Sequence, residues 1–100
     1  MSIVKIIVEV HCITLDSINE SRYRLYADND LLVERTWRWG EITIIEEEIW
    51  LNLPLGVSHT LYLNTVSMNS STKFILKNFS IYDSPYCITD SDDYSITFFL

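Results

Sequence analysis

The segment IVKIIVEVHC, residues 3 to 12, places Val4, Ile6, Val8, Val10 and Cys12 on one parity and Lys5, Glu9 and His11 on the other. A period of two belongs to a β-strand with one buried face, because helical side chains return to the same face only every ~3.6 residues. Nowhere does the chain carry a convincing helical stripe, whereas β-branched and aromatic residues recur in short runs between polar clusters. That pattern predicts an all-β fold. At 100 residues the chain holds one domain with one core, residues 1–100, and 48% hydrophobic content with two Gly and two Pro excludes the disordered and fibrous classes. The expected architecture is a single antiparallel β-sandwich, jelly-roll-like, of seven or eight strands.

The stretch RYRLY-ADND-LLVERTWRW reads as a β-hairpin, since Asp and Asn accept the left-handed backbone that a tight turn requires. On its first arm Tyr23, Leu25 and Ala27 share a face opposite Arg22, Arg24 and Tyr26. On the second, Leu31, Val33, Arg35, Trp37 and Trp39 share a parity opposite Leu32, Glu34, Thr36 and Arg38. LDSINES, before the hairpin, is a polar connection with room for one helical turn capped by Asp16 or Ser17. EITIIEEEIWLNL then alternates as a strand or two, broken or bulged at Glu46 to Glu48, and PLG turns the chain. HTLYLNTV sets His59, Leu61 and Leu63 against Thr60, Tyr62 and Asn64. In KFILKNFSIY the apolar parity switches after Leu76, which predicts a bulge at Lys77 or Asn78. The acidic loop DSDD leads into YSITFFL, a strand-forming tail at 94–100 that is expected to reach a neighbouring subunit.

Fourteen acidic residues against seven basic ones give a net charge of −7, which disfavours nucleic acid or an anionic membrane as partner. No run approaches the ~20 apolar residues of a membrane span, and charges interrupt the first segment where an export signal needs an apolar core. Cys12 and Cys87 stand outside any CxxC, so free buried thiols are expected rather than a zinc or redox site. His11 and His59 are the sole imidazoles, and neither lies in a nucleophile elbow or an activated-cysteine context; no catalytic residue is assigned and the chain is read as non-enzymatic. DND at 28–30 and DSDD at 90–93 offer hard oxygen ligands but lack the EF-hand spacing, and turn chemistry accounts for both. Glu46 to Glu48 read as a solvated edge that guards against strand addition. No cofactor or metal is implied. Three Trp and six Tyr are many for this length, and such side chains either fill a small sandwich or anchor a partner.

EEIWLNLPLGVSHTLYLNTV followed by KFILKNFSIY resembles the late strands of jelly-roll carbohydrate-binding domains, in which a strand, a glycine turn, an HTL-x-L strand and an F-x-L-x-N-x-x-I strand follow one another; the likeness covers about a third of the chain. RYRLYADNDLLVERTW is similar to a segment of small β-sandwich proteins of tailed phages that infect marine cyanobacteria, whose roles are virion-associated. The matched positions are scaffold positions and bring no ligand residues with them. The hairpin resemblance implies a small virion component, such as a capsid decoration protein. Its expected partners are a larger virion or capsid protein and the chain itself, with the cytoplasm as the alternative location. Trp37, Trp39, Trp50, Tyr26, Phe98, Phe99 and Leu100 are the candidate interaction residues. The alternatives are a carbohydrate-binding module that uses the tryptophans, and an acidic intracellular inhibitor that mimics nucleic acid.

Overall fold

A computed structural model describes residues 2–13, 21–37, 44–67, 73–82 and 84–100. These form eight strands, β1 (Ser2–Ile13), β2 (Ser21–Ala27), β3 (Asp30–Trp37), β4 (Ile44–Leu53), β5 (Ser58–Ser67), β6 (Lys73–Tyr82), β7 (Cys87–Ser91) and β8 (Ser95–Phe99). They make two antiparallel sheets, a three-stranded one in the order β4-β1-β6 and a five-stranded one in the order β3-β2-β5-β8-β7, packed as a β-sandwich. Only β2–β3 and β7–β8 are hairpins within a sheet; every other connection crosses between the sheets. The polar connection LDSINES lies outside the described residues except for Ser21, which opens β2.

The alternation of β1 is realised in full: Val4, Ile6, Val8, Val10 and Cys12 face the other sheet and are buried. Opposite them come Tyr23 and Leu25 of β2, Leu61 and Leu63 of β5, and Ile96 and Phe98 of β8, while Phe74, Leu76 and Ile81 of the neighbouring β6 complete the inner face of β1's own sheet. The hairpin turn falls on Asp28 and Asn29, at φ 49° and 77°, the left-handed geometry that matches a two-residue connection to the strand twist. The predicted bulge in β6 is present as well. Ile7 pairs with Ser80 but Glu9 with Lys77, and Asn78 occupies φ 54°.

Three local expectations are corrected. β4 runs against β1 in unbroken register from Ser2↔Leu53 to His11↔Ile44, so the acidic triplet neither breaks nor bulges it. On β3 an extra residue lies between Leu31, which pairs with Tyr26, and Val33, which pairs with Leu25. That bulge at Leu32 moves Leu31 onto the exposed face while Leu32 and Val33 pack against the core. Lastly, YSITFFL is built into its own sheet rather than added to a neighbour's edge. β8 lies between β5 and β7, and its inward Phe98 is fully buried. The reason is steric: a central strand offers both edges to its own sheet, and β7 is an additional strand that the acidic composition around DSDD concealed.

Candidate interaction surface

β4 is an edge strand, and its odd-numbered residues point inward. Glu46 and Glu48 are exposed as expected of an edge guard, but Glu47 is 2% exposed, which corrects its reading as a solvated residue. The fold can bury this carboxylate because two donors meet it. The Tyr23 hydroxyl donates at 2.7 Å, and the Arg35 guanidinium of the facing edge strand β3 donates through Nε and, at 3.1 Å, through Nη2. Burial, followed by the hydrogen bond to Glu47, pushes the Tyr23 hydroxyl pKa up, while the same carboxylate raises that of Arg35. A cleft of about 400 Å³ beside it is lined by Glu34, Arg35, Thr36 and Ile45. Since Arg35 forks onto Glu47, this group ties the two sheets together across their open flank.

His59 is buried as well, at 3% exposure. Its Nδ1 meets Asp28 Oδ2 at 2.5 Å and its Nε2 meets the Pro54 carbonyl at 2.8 Å, so both nitrogens are engaged and neither is available to activate a nucleophile. The other Asp28 oxygen accepts the Thr60 N–H at 2.9 Å. His11 bonds Glu9 at 2.9 Å, and the Glu9 carboxyl is lowered by His11 and Asn78. Asp92 is spent on the Tyr94 and Ser95 amides, which lower its pKa. Among the described residues no group of three or more His, Cys, Asp or Glu side chains could hold a metal ion, and no helix is long and apolar enough to cross a membrane.

The interaction residues divide differently. Trp50 stands on the outer face of the three-stranded sheet, 64% exposed, in register with Lys5, which is in turn in register with Tyr82, also 64% exposed. The Lys5 ammonium lies 5.6 Å from the centroid of each ring and 3.3 Å from Glu48. Ile3, the most exposed large apolar residue among those described at 71%, belongs to the same end of the sheet. Tyr26 is half-buried on the outer face of the five-stranded sheet, its ring 5.6 Å from that of Tyr62. Phe98 is corrected from interaction residue to core: it packs on Phe79 and on the His59 ring. Phe99 is exposed, and with partly buried Leu100 it lines a cleft of about 240 Å³ completed by Pro85, Tyr86 and Cys87. Cys12 is buried but Cys87 is exposed, which corrects the expectation of two buried thiols. The Trp37 side chain and Trp39 lie outside the described residues.

Strand direction unites most of these groups. β1 begins, β4 and β6 end, β5 and β7 begin, and β8 ends at one pole of a molecule 44 Å long and about 20 Å across. The loop at 54–57 and the segment between β6 and β7 pass from sheet to sheet there, adding exposed Leu55, Val57 and Tyr86 to Ile3, Trp50, Tyr82, Ile88 and Phe99. The result is an apolar pole. Sequence reasoning missed Ile3, Tyr82 and the loop residues. For Ile3 the signal was present, since it shares the outward parity of Lys5, where an apolar residue has no core to enter. Comparison with protein-family models, curated proteins and solved structures finds no match to the chain.

Proposed function

We propose that the chain is a non-enzymatic interaction protein that docks by its apolar pole onto a larger protein, as a small phage virion component such as a capsid decoration protein would. The observation that carries the docking reading is the gathering of exposed large apolar side chains at one end of the sandwich. Exposed apolar side chains gathered at one place are characteristic of contact sites, and Trp and Tyr are the side chains that contribute most where proteins meet. The virion setting rests on the hairpin resemblance. The carbohydrate alternative has less support, because the Trp50 and Tyr82 rings flank an ammonium of their own chain.

The test is whether the chain is a stoichiometric part of particles purified from the source culture. The reading expects it at a fixed copy number. It also expects a Leu55→Asp/Phe99→Asp chain to melt near the parent temperature yet to be missing from the particle. Absence of the natural chain from purified particles overturns the virion reading, and retention of the folded variant overturns the role of the pole.

A further inference from the structure

His59 sits where the pole is assembled. Its ring lies on β5, Asp28 comes from the β2–β3 turn, the Pro54 carbonyl from the loop that carries Leu55 and Val57, and Phe98 of β8 packs against it with ring centroids 5.7 Å apart. Asp28 is the charged group that faces the ring. Its second oxygen is fixed by the Thr60 amide, and its own N–H bonds the Thr60 carbonyl at 3.1 Å, so the carboxylate cannot turn away.

A carboxylate and a carbonyl both accept, and an imidazole can donate to two acceptors at once only when both nitrogens carry protons. We propose that His59 is an imidazolium clamp on the apolar pole, which joins the β2–β3 turn to the 54–57 loop while doubly protonated and frees that loop when it loses a proton. As the regulation of a docking surface this rests on the reading given above, but the clamp itself does not.

The chemistry of release has a direction. A neutral imidazole keeps one N–H, and a carboxylate is a stronger acceptor than an amide carbonyl, so the proton stays on Nδ1 toward Asp28. The Nε2 lone pair then faces the Pro54 oxygen across 2.8 Å, lone pair against lone pair, and the carbonyl must move. The loop is afterwards held by the Gly56 N–H to the Leu100 carbonyl, 3.1 Å, and Gly56 at φ 78° is its natural pivot. Burial by itself would lower the pKa of His59; the Asp28 carboxylate and the Pro54 carbonyl outweigh it and hold the group above its ordinary 6.5. The clamp is therefore closed in mild acid and opens as pH rises through that elevated value.

Nitrogen-detected NMR of the natural chain across pH tests this without any partner. The expected result is a His59 midpoint above 6.5, both ring nitrogens protonated below it, and the Leu55, Gly56 and Val57 amides shifting with the same midpoint. His59→Gln should abolish the pH response of those amides. A midpoint at or below 6.5, or loop amides that ignore the His59 titration, overturns the clamp. Because the measurement uses the isolated chain, a failure of the docking reading would show in the particle experiment and not here.

Discussion

Removing the Arg35 guanidinium leaves the Glu47 carboxylate buried with the Tyr23 hydroxyl as its remaining described donor. An uncompensated buried charge costs ~3–5 kcal/mol, but Arg35 is half-exposed and water can partly replace it. We expect Arg35→Ala to destabilise by about 2–3 kcal/mol in urea unfolding, and Tyr23→Phe by about 1–2 kcal/mol, because the latter leaves the ion pair intact. Glu47→Leu combined with Arg35→Met should lie closer to the parent than Arg35→Ala alone, since no charge is then stranded. Equal losses for both single variants would refute this ranking. His59 adds a pH dependence of known sign. Its folded pKa is raised, so its contribution is complete below about 6.5 and is lost as pH rises through the folded value. Unfolding midpoints of the natural chain should fall over that window, and those of His59→Gln should lack the same step.

At the scale of the strand, β8 is the last element of the chain and yet a central one. Deleting residues 94–100 removes a strand paired on both edges together with buried Ile96 and Phe98, each worth ~1.5–3 kcal/mol of burial. Against a typical domain stability of ~5–15 kcal/mol, the truncated chain should show no cooperative unfolding transition. A truncated chain that melts like the parent would refute the central placement of β8. The β6 bulge makes a subtler prediction. Asn78 holds φ 54° and donates to Glu9 at 2.9 Å, so Asn78→Val should cost about 1–3 kcal/mol, through a β-branched side chain forced into the left-handed region. Asn78→Gly keeps the backbone and loses only the side-chain bond, so thermal melting should rank it well above the valine variant. β4 and its carboxylates act at this scale too. As an edge strand in unbroken register it is a template for further pairing, and Glu46→Val/Glu48→Val should raise light scattering on storage without lowering the melting temperature much.

Taken as one body, the sandwich is polarised along its 44 Å length. Its apolar pole gathers residues from loops and strand ends far apart in sequence, from Ile3 to Phe99. Val8→Asp, which puts a charge between the sheets, should unfold the whole molecule, whereas Leu55→Asp changes a side chain that is already in water and should leave the fold intact. Circular dichroism of the two variants separates core from pole directly. If both unfold, Leu55 belongs to the stabilising packing and the pole is not a free surface.

Local sequence by itself determined the all-β class, the inward face of β1, the turn at Asp28 and Asn29, the faces of β2 and β5 and the bulge at Asn78, because each of these is fixed by neighbours within a few residues. A strand records in its own alternation which face meets the core, and a left-handed turn records itself in Asp and Asn. Tertiary structure alone decided that Glu47 is buried, since the donors that make this tolerable sit 24 and 12 residues away on other strands. It also decided that the last strand lies inside its own sheet, that an unannounced bulge turns Leu31 outward, and that exposed residues from both sheets meet at one pole. Those outcomes depend on which edges and ends the chain brings together in space, and hydrophobic alternation carries no record of strand order.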